Sequence, residues 1–135
     1  MPSIPTDLAI LNSIYERYYA TFAAYSPDAK GRSAKIYVPL DIKALAVQFG
    51  VDQDIIFGRL YYHLEKKHGY KDADGSLVPF FALRVGGDSH CVNFPYMASV
   101  LADLRSENRK YRITATIAVV GFLFSIYNFI VARMR

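Results

Sequence analysis

Cysteine occurs once in the 135 residues, at Cys91. A single thiol forms no internal disulfide, which excludes a disulfide-stapled secreted fold. The short motifs of common catalysts are missing too: there is no His-Glu-x-x-His, no Gly-rich phosphate loop and no Gly-x-Ser-x-Gly. His63, His68 and His90 have no metal-ligand spacing among themselves, and Cys91, next to His90 in a strand-like run, points to the opposite face. Asp72-Ala73-Asp74-Gly75 hints at a calcium loop. With Gly75 at the sixth loop position, Tyr70 falls at the first and Phe81 at the twelfth, where carboxylates are required. No catalytic residue, metal site or cofactor is therefore assigned, and an enzyme is not expected. No internal repeat or low-complexity tract is present. The eleven tyrosines fall mostly at helical spacing with other apolar residues, as core and interface packing requires.

The largest absence is of charge. Ile113 to Ala132 reads ITATIAVVGFLFSIYNFIVA, twenty positions without one ionisable acid or base. As a helix this run spans ~30 Å, the hydrocarbon thickness of a bilayer. Apolar residues make up 53% of the chain and charged residues 21%, so a disordered tail is excluded. The formal net charge is +4, yet Met1 to Asn108 carries 11 basic and 12 acidic residues. The remaining basic residues, Arg109, Lys110, Arg112, Arg133 and Arg135, flank the apolar run and are assigned to lipid headgroups. The basic character is thus a membrane signature rather than that of a nucleic-acid-binding domain. Met1-Pro2-Ser3-Ile4-Pro5-Thr6-Asp7 lacks the basic start and apolar stretch of a secretory leader. Arg105, Arg109, Lys110 and Arg112 precede the span and Arg133 and Arg135 follow it, which predicts a single-pass membrane protein with its N-terminal domain in the cytoplasm.

Along the chain, Thr6 or Asp7 caps a first helix, with Leu8, Leu11, Tyr15, Tyr18, Tyr19 and Phe22 on its apolar face and Ser26-Pro27-Asp28 at its end. Asp28 to Lys35, with Lys30, Gly31, Arg32 and Ser33, reads as a loop, and Ile36-Tyr37-Val38 as an edge strand. Pro39 and Asp41 open a second helix with Ile42, Leu45, Ala46 and Phe49 inward, and Gly50 ends it in the left-handed conformation. Asp52 or Asp54 caps a third helix, with Ile55, Ile56, Leu60 and Leu64 inward and Gly69 as its stop. Tyr70 to Val78 is a polar loop. Phe80 to Val85 and His90 to Phe94 are the strands of a hairpin turning at Gly86-Gly87-Asp88-Ser89, with Phe81, Leu83 and Val85 on one face. Pro95 sits in the first turn of a fourth helix with Met97, Val100, Leu101 and Leu104 buried. No Gly or Pro separates Pro95 from Gly121, so this helix can run directly into the span.

The order helix, strand, helix, turn, helix, hairpin resembles the winged helix-turn-helix superfamily over about Asp7 to Leu104. The local match is Leu45-Ala46, Gly50-Val51, Ile56, Leu60 and Leu64: a small residue where two helices cross, a glycine turn, a plug and a packing stripe. The resemblance implies a fold that is mainly α with a small β-hairpin. A winged-helix-like domain, 1–108, would be followed by a basic-flanked anchor, 109–135, with one transmembrane helix at 113–132. The superfamily commonly binds DNA through its third helix. This chain departs there, because Asp52-Gln53-Asp54 would face a polyanion, and the wing tip Gly87-Asp88-Ser89-His90 has no basic residue. DNA is therefore an unexpected partner. Phe57, Tyr61 and Tyr62 lie outward and form a candidate partner surface.

Within the span, Thr114, Ala118, Gly121, Ser125, Asn128 and Ala132 recur at spacing 4, 3, 4, 3, 4 and share one helix face. Ile117, Val120, Leu123, Phe124, Tyr127 and Val131 occupy the other side. Gly121 and Ser125 form a small-xxx-small pair that lets backbones approach, and Asn128 is costly against lipid unless its amide is bonded. The partners read from the sequence are the lipid bilayer and, through this face, another copy or a different membrane subunit. The function expected is that of a membrane-anchored protein-interaction module, a subunit or adaptor of a membrane assembly. Two rivals are a membrane-tethered DNA-binding regulator and a small oligomerising membrane effector.

Overall fold

The computed structural model describes residues 2–28 and 31–135. Met1 and Lys30, read above as part of the N-terminal stretch and of the first loop, lie outside the described residues. The chain divides into two compact units, Met1–Leu101 and Ala102–Arg135. The first is a mainly helical domain with small antiparallel sheets.

Helix α1 (Asp7–Ala23) begins where Thr6, in extended conformation, accepts the Ala9 amide on its hydroxyl at 3.1 Å. That bond satisfies one of the first-turn amides that have no partner inside the helix. The buried face is Ile10, Leu11 and Ile14 with Ser13, a correction to the tyrosine-rich stripe expected. Leu8, Tyr15, Tyr18 and Phe22 are half-buried and Tyr19 is exposed. The branched aliphatics take the dry arc because they have nothing to hydrate, whereas a tyrosine at the rim can place its hydroxyl on a polar partner, as Tyr18 does in accepting the Asp41 amide at 2.7 Å. Arg32 closes the far end of α1: its guanidinium donates to the carbonyls of Thr21 at 2.9 Å and Phe22 at 3.2 Å, and to those of Ala34 and Lys35. A cation there also meets the negative end of the helix dipole.

Strand β1 (Tyr37–Pro39) starts one residue later than expected and lies at the edge of a three-stranded sheet, where a proline is tolerated. Helix α2 (Ile42–Phe49) is capped by the Asp41 carboxylate on the Ala44 amide at 3.0 Å and ends at Gly50, φ 66. The Gly50 amide reaches the Val47 carbonyl at 3.2 Å and the Val51 amide reaches Ala46 at 3.1 Å, the paired bonds of a Schellman ending.

After this turn, α3 (Gln53–Gly58) widens into a π-helical segment, Arg59–Glu65, before one last α-turn, α4 (Lys66–His68). Ile56, Leu60 and Leu64 are all fully buried. Their strict four-residue spacing would rotate the stripe by ~40° per step at 3.6 residues per turn. The wider π turn keeps it aligned. Ile55, expected inward, is exposed. Gly69 does end the helix, but in an extended conformation (φ −60, ψ 140) rather than a left-handed one. A Cβ there would fall 2.7 Å from the Glu65 carbonyl oxygen, so close approach is what requires glycine.

The expected loop after Gly69 contains a small ribbon, β2 (Tyr70–Lys71) paired with β3 (Leu77–Val78). Asp74 accepts the Ser76 amide and Gly75 adopts φ 88, so the polar residues themselves close the turn. The main hairpin is β4 (Phe81–Val85) and β5 (Asp88–Asn93), and the sheet order is β1-β5-β4. Phe81 is buried, whereas Leu83, read on the same face, is 45% exposed on what is the outer strand of the sheet.

Helix α5 (Phe94–Met134) is unbroken over 41 residues. Asn93 accepts the Tyr96 amide at 3.3 Å, and Pro95 occupies the first turn as expected. Phe94, Met97, Val100 and Leu101 are buried, while Leu104 is only half-buried. Beyond them, an 18-residue window has a mean hydropathy of 2.1 with none of its residues buried, so α5 is long and apolar enough to cross a membrane.

Candidate functional site

The sequence offers Phe57, Tyr61 and Tyr62 at helical spacing, and the π turn decides how they meet. Phe57 stacks on Tyr61, with ring centroids 5.4 Å apart, and meets Tyr62 edge-on at 6.2 Å. It is also edge-on to Phe81 of β4 at 6.1 Å and to His90 of β5 at 5.7 Å. One aromatic cluster therefore joins the third helical stretch to the hairpin. Phe57 and Tyr61 are half-buried inside it, and Tyr62 is 69% exposed. The sequence does not reveal that His90 and Phe81 belong to the cluster. His90 gets there with a left-handed φ of 54, a conformation rare for a residue with a side chain.

Two grooves flank the cluster. One, of about 820 Å³, is lined by Tyr18, Leu40, Asp41, Phe57 and His90. The other, of about 560 Å³, runs between the π segment and β4, lined by Tyr61, Tyr62, Lys66, Pro79, Leu83 and Arg84. Glu65 forms the floor of the second. Its Oε2 accepts the Phe80 amide at 2.6 Å and the Phe81 amide at 2.9 Å, which anchors β4 to the helix. Its charge, after burial, helps push the Tyr37 phenol above its ordinary value. The role of Glu65 was not legible in the sequence, where it looks like one more charge on a polar helix end.

Each of the three histidines has its own side-chain contacts, although, after burial and Lys67, the His63 charge also helps lower the His68 pKa. His63 and Arg59 both reach the Asp7 carboxylate, His63 at 2.9 Å, which ties the start of α1 to the π segment. His68 lies against Phe80 at 5.2 Å. Burial, and then the Lys67 charge, lower its pKa, against an opposing pull from Asp7. Cys91 is buried and burial pushes its thiol up, away from the reactive thiolate form. Among the described residues no group of three or more His, Cys, Asp or Glu could hold a metal ion.

At the start of α3, Asp52, Gln53 and Asp54 are exposed, and the Asp52 carboxylate accepts the Asp54 amide at 2.8 Å. On α5, Thr114, Ala118, Gly121, Ser125, Asn128 and Ala132 are all exposed. A Cβ on Gly121 would meet nothing within 4 Å. The Ser125 hydroxyl donates to the Gly121 carbonyl at 3.0 Å and so satisfies itself within the helix. Arg109, Lys110, Arg112, Arg133 and Arg135 are exposed, with Arg133 lying over the Phe129 ring at 5.5 Å.

The chain matches no known family, no curated protein and no solved structure.

Proposed function

We propose that the chain is a membrane-anchored protein-interaction module, a subunit or adaptor of a membrane assembly. The observation that carries this reading is α5. One end of this single helix supplies Phe94, Met97, Val100 and Leu101 to the core of the domain, and the other presents an apolar surface with no residue of its most hydrophobic window buried. Bare apolar surface of that extent needs lipid or a partner. The basic flanks, Arg109, Lys110 and Arg112 on one side and Arg133 and Arg135 on the other, favour insertion with the domain on the cytoplasmic side.

The domain supports a winged-helix-like scaffold: α1, β1, α2, α3 and the β4–β5 hairpin follow in that superfamily's order, with β1 added beside the hairpin. Its surface favours protein over DNA. The exposed carboxylates of Asp52 and Asp54 stand at the start of α3, and Phe57, Tyr61 and Tyr62 follow. Rings of this kind anchor protein interfaces, whereas two carboxylates repel phosphate.

Alkaline carbonate washing of membranes, followed by mild solubilisation and purification of the full-length chain, tests this function. The protein is expected to stay in the membrane pellet and to bring another subunit or a second copy with it. Release to the supernatant would sink the anchor, and purification as a lone monomer would sink the module. Salt-sensitive binding of duplex DNA tighter than ~1 μM at ~0.15 M salt would promote the tethered regulator instead.

A further inference from the structure

The outer edge of β4 is open, and its chemistry is defined. Asn93 donates its amide to the Phe80 carbonyl at 2.9 Å, and the register pairs Ala82 with Cys91 and Arg84 with Ser89. In an antiparallel ladder, alternate residues turn both backbone groups toward the neighbouring strand. Ala82 and Arg84, and the carbonyl of Phe80, therefore face β5, and Phe81, Leu83 and Val85 face away. The Phe81 amide is taken by Glu65. The amide and carbonyl of Leu83 are left at the edge of the sheet, and its side chain is 45% exposed.

Beside this edge runs the groove of about 560 Å³ bounded by Tyr61, Tyr62, Lys66 and Pro79. Its charge is one-sided. The Glu65 carboxylate is engaged by two backbone amides, while Lys66 and Arg84 have no ion pair among the described residues. Resting on the reading of the domain as a protein-interaction module, we infer that β4 accepts an extended, acidic segment of a partner protein as an added strand. The partner's backbone would pair with Leu83, its apolar side chains would pack on Tyr61 and Tyr62, and its carboxylates would meet Lys66 and Arg84. Strand addition takes affinity from main-chain bonds and selectivity from alternate side chains. A second copy is the poorer occupant, because two-fold pairing of β4 with itself would gather two sets of Lys66 and Arg84 along one seam.

The test uses the full chain in micelles and a peptide of about eight residues alternating glutamate with valine, enough for one strand. A lysine-for-glutamate peptide and one N-methylated at alternate amides are the controls. The glutamate peptide is expected to bind and to slow hydrogen exchange at the Leu83 amide. The lysine peptide should bind about ten-fold more weakly, as two partly exposed charge pairs allow, and the N-methylated peptide not at all. Arg84→Glu should narrow or reverse the charge preference. Leu83→Pro removes an amide that the sheet does not use, so the fold should survive while binding is lost. Tyr62→Ala should weaken binding without unfolding. No binding, equal binding of both charges, or binding that leaves Leu83 exchange unchanged would overturn the inference. If a subunit still co-purifies with Leu83→Pro while the peptides fail, the module stands and its contact lies elsewhere. If nothing co-purifies with the unaltered chain, both readings fall together.

Discussion

Glu65 and Phe80 are joined by a hydrogen bond of 2.6 Å from the Phe80 amide to the carboxylate, and the same oxygen takes the Phe81 amide at 2.9 Å. The π-helical segment thereby holds the start of β4 and the residue before it, and with them the aromatic cluster. Phe80 and Phe81 are both buried, so their amides have no alternative in water. Bonds to a charged acceptor contribute about 1.5–3 kcal/mol. Glu65→Ala is expected to destabilise the domain by about 2–3 kcal/mol, and Glu65→Gln, which keeps an acceptor, by about 1 kcal/mol. Denaturant unfolding of the full chain in micelles, followed by near-ultraviolet circular dichroism, measures both. Equal losses would show that the charge contributes nothing.

Gly86 is required twice over. Its φ is 59, and a Cβ there would collide with the side chain of Ser33. Ser33 lies close because its amide donates to Asp88 at 2.7 Å and its hydroxyl accepts the Gly87 amide at 3.2 Å. Gly86→Ala should cost about 1–2 kcal/mol for the left-handed backbone alone, with the collision added. Combining it with Ser33→Gly should recover the collision and not the backbone share, so the two substitutions should couple in a double-mutant cycle.

His68 is expected to make the domain acid-sensitive. Its folded pKa lies below the ordinary value near 6.5, first through burial and then through Lys67. The unfolded chain therefore binds a proton more readily, and stability must fall as pH drops from about 6.5 toward the lowered folded value. Above 6.5 the residue is neutral in both states and has no effect. His68→Phe keeps a ring against Phe80 and removes the titration. Unfolding midpoints should then vary less between pH 7 and pH 5 than in the unaltered chain; an unchanged slope would assign the acid sensitivity to other groups.

On α5, Gly121→Leu or Ser125→Leu should separate helices that approach through that face, while Leu123→Ala on the other side should not. All three spans remain apolar enough to insert. Asn128→Leu should weaken association modestly, since interhelical hydrogen bonds in bilayers average only ~0.6 kcal/mol. Energy transfer between labelled copies, together with co-purification of any other subunit, reads the outcome. No change with either leucine would make the small residues incidental.

Local signals were enough for much of this protein. Thr6, Asp41 and Asp52 cap helices, Gly50 terminates one, Pro95 opens another, and the uncharged run from Ile113 to Ala132 specifies a long apolar helix. Each works within a few residues of itself, through an amide to satisfy, a φ to permit or a side chain to keep from water. What tertiary structure decided are relations between residues far apart in sequence. The choice of Ile10, Leu11 and Ile14 over the tyrosines as the dry face of α1 depends on what packs opposite. The π turn answers the four-residue spacing of Ile56, Leu60 and Leu64 only because all three must be buried together. Glu65 acquires its role from Phe80 and Phe81 fifteen and sixteen positions on, and His90 joins Phe57 through a backbone conformation that no local pattern encodes. Long-range packing sets those positions, because the free energy of burial depends on the neighbours that exclude water and not on the residue alone.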